Sequence, residues 1–162
     1  MNRGDAKRYA PGHGALAAIA DYDTAIAIGE RPREALGEDL PVPWRIDLAG
    51  AYMNRGNAKQ SAPGHGAPAA IADYDTAIAI MERLREALGE DWPVPWRNDL
   101  ATAHFFRGRA RFRLDDRSGA CNDARRAESL WLELARVAGE GLWTGRSSLA
   151  KELGDMACSK DA

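Results

Sequence analysis

Few residues in the 162-residue chain have the types and spacing that catalysis needs. A covalent mechanism requires a Ser, Cys or Thr beside a His and a carboxylate. The histidines are His13, His65 and His104, and the first two occupy one position in two copies of a PGHG segment. This segment is typical of a turn, because it lacks the second nearby ligand that a metal site requires. We therefore predict neither an enzyme nor a metal site, and we expect no cofactor.

Two pairs of aspartates are also poorly placed for acid–base chemistry. Asp73 and Asp75, like Asp21 and Asp23, lie two residues apart in predicted helices. Side chains at this spacing point to opposite sides of a helix, so neither pair can act as a general acid and base together. We interpret all four as solvated or capping charges.

An arginine-rich segment between Phe105 and Arg126 stands apart by its charge. Seven arginines and three aspartates give it a local charge of +4, in a chain whose net charge is -2. The phenylalanines that interleave with it are Phe105, Phe106 and Phe112. Two interpretations remain open: an ordinary solvated helix face, or a site for nucleic acid or another polyanion. The acidic balance of the whole chain argues against a surface tuned for nucleic acid throughout.

The sequence contains an internal repeat with a period of 52 residues. Shifting the chain by this distance aligns residues 1–52 with residues 53–104, and 42 of the 52 pairs are identical. A diverged third copy follows, in which a turn is two residues shorter. His104 replaces Tyr52 there, and we expect a half-buried, hydrogen-bonded histidine. Units of this length stack to share a core, because one unit alone cannot bury its apolar face.

The helices that form each unit follow from apolar spacing. In the second copy, apolar residues recur at steps of three and four over about 68–88, which predicts a long amphipathic helix. Gly89 then has the position of a left-handed C-cap, and Pro95 is placed to open the next helix. First helices are predicted over about 96–113 and, one unit earlier, over about 44–60. Each unit is therefore a predicted pair of antiparallel helices.

The first copy differs at two helix positions, where Gly29 and Pro32 replace Met81 and Leu84. A proline inside a helix costs roughly 3 kcal/mol, because it removes a donor and clashes one turn back. We therefore predict that the second helix of the first unit kinks or ends near residues 29–31.

The ends of the units carry further signals. Trp44 and Trp96 stand at corresponding unit entrances, where packing of the loop between units is favoured over ligand stacking. Apolar residues at helical spacing after Trp143 predict a final capping helix within 144–158, because the last unit must cover its open face.

Cys121 and Cys158 have no metal-ligand spacing and cannot build a disulfide framework, so we expect free thiols in a reducing compartment. The apolar stretches fall far below the roughly 18 residues of a membrane helix, and the first residues lack a signal-peptide core. These features predict a soluble, cytoplasmic protein without a membrane partner.

One set of residues resembles a known family. Tyr52 lies four residues before Gly56 in the first helix, and Ala70, Tyr74 and Ala77 follow in the second. This pattern resembles the tetratricopeptide repeat, in which a glycine and an alanine let two helices approach closely and aromatics fill the space between them. The period exceeds the usual length of about 34 residues, which implies longer helices and an enlarged turn. The aromatic expected three residues after the glycine is replaced by Lys7, Lys59 or Arg111.

The predicted fold is an all-α, helical-hairpin repeat solenoid of about three units with a C-terminal capping helix. We expect a single domain over 1–162, with repeats at 1–40, 41–92 and 93–140 and the cap at 144–158. The first repeat begins in the middle of its first helix, which indicates either a fragment of a longer array or an uncapped edge. Such an edge predicts weak self-association at high concentration.

The resemblance implies a protein-interaction scaffold that holds a peptide segment of a partner on the face formed by the first helices. We expect this face to prefer an acidic segment with an apolar anchor, since arginines pair with carboxylates. The alternatives are nucleic-acid or polyanion binding through the Arg cluster at 107–126, which we consider unlikely for nucleic acid, and a self-assembling structural array. The predicted ligand-binding residues are Phe105, Arg109, Phe112, Arg113, Asn57 and Met53.

Overall fold

The computed structural model describes residues 13–139 and 141–159 of the chain. No β-strand occurs among these residues, so the predicted all-α class is confirmed. Short 3-10 turns follow the first and third helices, at Gly37–Asp39 and Gly89–Asp91. The helices of the described residues are α1 His13–Leu36, α2 Val42–Ser61, α3 Ala67–Leu88, α4 Val94–Arg113, α5 Arg117–Ala138 and α6 Gly141–Cys158.

The predicted bounds of α2, α3 and α4 agree with the observed ones to within about two residues, the usual uncertainty of a helix end. Gly89 has a φ of +54°, which confirms the left-handed C-cap after α3. Pro95 is the second residue of α4, where its missing N–H is not needed. The capping helix α6 begins earlier than predicted, at Gly141.

One of the two predicted outcomes, an end of helix α1 near residues 29–31, is wrong. The helix continues through Pro32 to Leu36. Contacts with α2 hold the residues around the proline, which offsets the lost backbone hydrogen bond: Glu30 accepts a hydrogen bond from the Tyr52 hydroxyl at 2.8 Å. Arg33 also donates to Glu30, at 2.6 Å. The local penalty of a proline is therefore overridden by tertiary contacts.

The chain divides into two compact units, Met1–Ala77 and Ile78–Ala162. The division falls inside α3 and coincides with none of the predicted repeat boundaries. In the first unit α1 packs against α2, and in the second α5 packs against both α4 and α6. The single-domain organisation and the repeat boundaries stay predictions.

Two glycines set the close approach of helices inside the units. A Cβ on Gly56 of α2 would lie 2.9 Å from a ring atom of Tyr74 and 3.2 Å from the carbonyl oxygen of Ala70. A Cβ on Gly108 of α4 would lie 3.1 Å from the Cβ of Asp123. These distances leave little or no room for a larger residue, so glycine is required where these helices touch.

The cysteines are not free thiols, and that prediction is wrong. Cys121 and Cys158 form a disulfide, with their Cα atoms 5.1 Å apart. The bond joins the first turns of α5 to the end of α6, and 37 residues separate the two positions in sequence. Only the packing of α6 against α5 brings them together. None of the described helices combines the length and the apolar composition needed to cross a membrane.

Candidate functional site

A buried carboxylate joins α4 to α5 in the second unit. Asp123 is 2% exposed, and both of its oxygens accept hydrogen bonds from α4. Arg107 donates through Nε at 2.9 Å and through Nη2 at 2.6 Å, and Arg111 donates through Nη1 at 3.0 Å. His104 Nδ1 lies 3.0 Å from Oδ1 and donates to it, because an ionised carboxylate only accepts. We call these four residues the Asp123 cluster.

The electrostatics of the cluster favour an ionised Asp123. Burial raises the pKa of this carboxyl, but hydrogen bonds from His104 and Arg107 and the charge of Arg111 outweigh it. The pKa of Asp123 therefore lies below its ordinary value. Because two guanidinium groups bind the Asp123 carboxylate inside the helix pair, this carboxylate is not placed to act as a base.

His104 links this cluster to a second carboxylate. Its Nε2 lies 3.7 Å from Oε1 of Glu82 on α3, which is beyond hydrogen-bond length. Glu82 also pairs with Arg126 at 2.9 Å and with Arg85 at 3.1 Å. The imidazole of His104 and these two arginines lower the pKa of Glu82 to about 2, against the effect of burial. The predicted hydrogen-bonded histidine is confirmed, but it is buried and not half-buried.

The first unit contains a similar buried carboxylate, Asp73 on α3, which is 3% exposed. It accepts hydrogen bonds from Arg55 and lies 2.8 Å from Lys59 Nζ. Arg55 also reaches Asp23 on α1, at 2.6 Å. The prediction that Asp73 is a solvated or capping charge is therefore wrong, whereas Asp75 is exposed as expected.

Sequence reasoning missed these ionic contacts although a signal for them was present. Lys59 and Arg111 stand three residues after the close-approach glycines, where an aromatic residue was expected. Both cations pair with the aspartate at the matching repeat position, Asp73 or Asp123. An internal ion pair is therefore indicated by two features together. One is a cation three residues after the glycine, where an aromatic residue was expected, and the other is an aspartate two turns into the second helix.

The predicted binding residues of the second unit lie on α4, and the structure brings Phe105 and Arg109 together. The Arg109 guanidinium lies 5.8 Å from the ring centres of both Phe105 and Phe106. Phe105 is half-buried because its ring packs edge to face on Trp131 of α5, with centroids 5.6 Å apart. Arg109 itself is exposed. The exposed Arg109 guanidinium therefore lies on aromatic rings, and the contact with Trp131 holds one of them, Phe105, in place.

Phe112 and Arg113 occupy the last turn of α4. The Phe112 ring is half-buried and carries the Arg117 guanidinium at 4.6 Å from its centre. Arg113 is exposed. Since residues three and four apart are neighbours on a helix, Phe112 and Arg113 extend the surface that Arg109 begins. We call Phe105, Arg109, Phe112 and Arg113 the α4 face.

Met53 and Asn57 of the first unit are half-buried on α2. Asn57 is turned toward its paired helix, because its Oδ1 accepts a hydrogen bond from the Tyr74 hydroxyl of α3 at 2.7 Å. Gln60 Nε2 donates to the same hydroxyl. A ligand-binding role for Met53 and Asn57 stays a prediction.

Comparison of the repeats explains why the α4 face differs from α2. The residues at the positions of Asn57 and Gln60 are Arg109 and Phe112. The tyrosine that they bind is replaced by an alanine, Ala124. With the hydroxyl removed, residues 109 and 112 have no polar anchor in the paired helix, and they contact rings and guanidinium groups near the surface instead.

Most of the arginine cluster is engaged within the second unit. Arg107 and Arg111 bind Asp123, Arg117 binds Asp115 at 2.9 Å, and Arg126 binds Glu82. The segment is therefore less cationic toward a ligand than its composition indicates. Among its exposed arginines, Arg109 and Arg113 lie on the α4 face and Arg125 lies on α5.

The tryptophans at the unit entrances have different surroundings. Trp96 packs against Trp92 with ring centroids 5.5 Å apart, as the packing interpretation predicts. Trp44 is 53% exposed, and Leu40 takes the place of Trp92 in its repeat. Packing alone therefore does not account for Trp44.

No group of three or more His, Cys, Asp or Glu side chains is placed to hold a metal ion within the described part of the chain. No protein-family model matches the sequence, and comparison with curated proteins and with solved structures returned no significant match.

Proposed function

We propose that this chain is a non-enzymatic interaction module of the tetratricopeptide kind, which binds a peptide segment of a partner protein on the α4 face. The segment is acidic and carries an apolar or aromatic anchor. Guanidinium groups pair bidentately with carboxylates, and half-buried phenylalanine rings supply the apolar surface for an anchor.

The main support for the proposal is that three contacting positions change together between the two repeats. In the first unit Asn57 and Gln60 are bound to the Tyr74 hydroxyl inside the hairpin. In the second unit the tyrosine is absent, and the matching positions are an exposed arginine and a phenylalanine. Residues that serve the hairpin in one repeat are thus available for a ligand in the next.

Internal pairing of the arginines weighs against the alternative of polyanion binding. Affinity for nucleic acid comes from cations that neutralise phosphates, and it grows with their number. Arg107, Arg111 and Arg126 are already neutralised by buried or half-buried carboxylates. A small acidic peptide fits the few exposed cations of this segment better than a long polyanion does.

The proposal does not include a cytoplasmic location. That expectation rested partly on free thiols, and the structure pairs Cys121 with Cys158. Disulfides persist mainly in oxidising compartments. The paired form is therefore suited to an oxidising compartment.

The test uses fluorescent peptides in which one phenylalanine is flanked by aspartates and glutamates, with binding followed by anisotropy. We expect binding to wild-type protein, and we expect Arg109→Glu with Arg113→Glu to weaken it by at least about tenfold, or about 1.4 kcal/mol. Replacing the peptide's phenylalanine with alanine, or its acids with lysines, should weaken binding similarly.

The matched control is Arg125→Glu with Arg136→Glu, which makes the same change of charge at two exposed positions of α5. It should leave peptide affinity nearly unchanged. Equal weakening by both double variants would show only a net-charge effect, and undiminished affinity in the Arg109 and Arg113 variant would contradict the proposed site. Circular dichroism confirms that each variant is folded. Retention of wild-type protein on a polyanion column without peptide binding would favour the alternative function.

A further inference from the structure

An apolar cavity opens between α1 and α2 in the first unit, away from the α4 face in sequence. Its volume is 240 Å³. Trp44 and Ile28, at 53% and 64% exposure, form part of its wall and are unusually open for large apolar residues. Gly29 and Leu48 line it further, and Asp47 contributes a carboxylate.

The second copy of the repeat indicates which kind of side chain fits the cavity. At the position of Gly29 the second copy has Met81, which is fully buried, and at the position of Leu48 it has Leu100, also fully buried. In the first copy a Cβ on Gly29 would lie 3.0 Å from Leu48 Cδ1, so Leu48 takes up part of the volume that the methionine fills in the second copy. The rest of that volume belongs to the cavity. The exposure of Ile28, against 7% for its counterpart Ile80, agrees with a surface that lacks a covering group.

Asp47, the charged residue at the cavity, also has a counterpart in the second copy. Asp99 matches Asp47 in sequence, and the charge of Arg146 on α6 acts on it and opposes the rise in pKa that burial causes. Arg146 is held in place by a 2.6 Å hydrogen bond to Asn98. In the first copy isoleucine replaces that asparagine, and Asp47 forms no ion pair with another described residue.

We propose that this cavity is an anchor pocket for a partner peptide in which an unbranched apolar side chain the size of methionine stands next to a basic residue. The apolar side chain enters the space beside Gly29 and packs on Trp44 and Leu48. The basic residue pairs with Asp47, as Arg146 compensates Asp99. This site is independent of the α4 face, because it lies in the other unit and selects a peptide of opposite charge.

The probe is the dipeptide acetyl-Met-Arg-amide, followed by NMR of the tryptophan indole N–H signals, with Trp44 assigned through Trp44→Phe. At millimolar concentration we expect a saturable shift of the Trp44 signal. Acetyl-Gly-Arg-amide should cause little shift because it lacks the anchor, and acetyl-Met-Glu-amide should bind several-fold more weakly because its charge opposes Asp47.

Two variants test whether the probe occupies this cavity. Gly29→Met places in the cavity the side chain that the second repeat already accommodates. Its Cβ would lie 3.0 Å from Leu48 Cδ1, a contact that a small movement of the Leu48 side chain relieves. The variant should abolish the shift while the fold persists. Asp47→Asn should retain binding but lose the preference for arginine over glutamate. A Trp44 shift that survives in Gly29→Met would overturn the proposal, as would no shift at millimolar probe. A Trp44 signal that moves with protein concentration alone, without probe, would identify a second copy of the chain as the occupant and also overturn it.

Discussion

At Asp73 and Asp123 the chain places carboxylates inside helix pairs, where an unpaired charge would be severely destabilising. Each is neutralised by two cations from the first helix of the pair. Such a pair adds little compared with an apolar contact, but removing one partner leaves buried charges uncompensated. At the residue scale, these contacts join the two helices of each pair inside the hairpin.

We predict that Asp73→Asn lowers the free energy of unfolding by about 3 kcal/mol, because Arg55 and Lys59 lose their buried counter-charge. The measurement is the denaturant midpoint by circular dichroism. Asp75→Asn is the matched control, since the residue lies two positions away and is exposed, and its effect should stay within about 0.5 kcal/mol. Similar losses in the two variants would contradict a structural role for the buried carboxylate.

Acid should destabilise the second unit through Glu82 and Asp123. Both carboxyls have a folded-state pKa below the unfolded value, and that of Glu82 is about 2. Their contribution is therefore complete above the unfolded pKa and is lost as the pH falls through the folded one. Burial raises the pKa of Asp99, which acts in the opposite direction.

We expect the free energy of unfolding to fall continuously from roughly pH 5 toward roughly pH 2. Urea titrations across this range measure the slope. Glu82→Gln should reduce the slope, because its amide does not titrate. A slope that is identical in this variant would exclude Glu82 as a contributor.

At the element scale, α1 departs from α3 at two positions whose counterparts, Met81 and Leu84, are fully buried. Pro32 removes one backbone donor and Gly29 leaves a cavity, yet the helix runs on to Leu36. Side-chain contacts with α2, such as Tyr52 to Glu30, hold this end of the helix. The helix pair of the first repeat therefore lacks stabilising features that the second repeat has, and both missing features lie near the proposed anchor pocket.

Restoring the second-repeat residues, Gly29→Met with Pro32→Leu, should stabilise the chain by about 2–3 kcal/mol, mainly because it returns a helical donor. The methionine adds to this by filling the cavity once Leu48, whose Cδ1 lies 3.0 Å from the new Cβ position, moves slightly. Thermal melting by circular dichroism tests this. The reverse exchange in the second repeat, Met81→Gly with Leu84→Pro, should be strongly destabilising, because both side chains are fully buried. A lower melting temperature for the restored variant would show that α1 does not bear a proline cost.

At the scale of the whole chain, two compact units are each held by their own contacts. The second unit has an additional covalent tie, which attaches the end of α6 to α5. Arg117 strengthens the same end by donating to the Met156 carbonyl oxygen at 3.2 Å. The terminal helix is therefore held at its last turn and not left to fray.

Reduction of the disulfide should lower the free energy of unfolding by about 4 kcal/mol, the chain-entropy value for a loop closed by residues 37 apart. Denaturant unfolding with and without reductant measures the change. Cys121→Ser with Cys158→Ser should match the reduced protein and should not respond to reductant. An unchanged midpoint on reduction would mean that packing alone holds α6.

The sequence alone was sufficient to predict the all-α class, the bounds of α2, α3 and α4, and the C-cap at Gly89. These features depend on apolar spacing and on the backbone preferences of glycine and proline, which are local properties. It also indicated that His104 is hydrogen-bonded, because the repeat places it at a packing position. The composition of the α4 face was likewise visible, although its function stays a proposal.

Only the tertiary structure decided the burial of Asp73, the disulfide between Cys121 and Cys158, the survival of α1 beyond Pro32, and the orientation of Asn57 toward Tyr74. Each depends on a partner that is distant in sequence. Whether a charge is solvated, a thiol paired or a proline tolerated is set by which side chains meet across two helices. A local pattern cannot show this, because helical periodicity identifies the face of a residue but not the group that lies opposite.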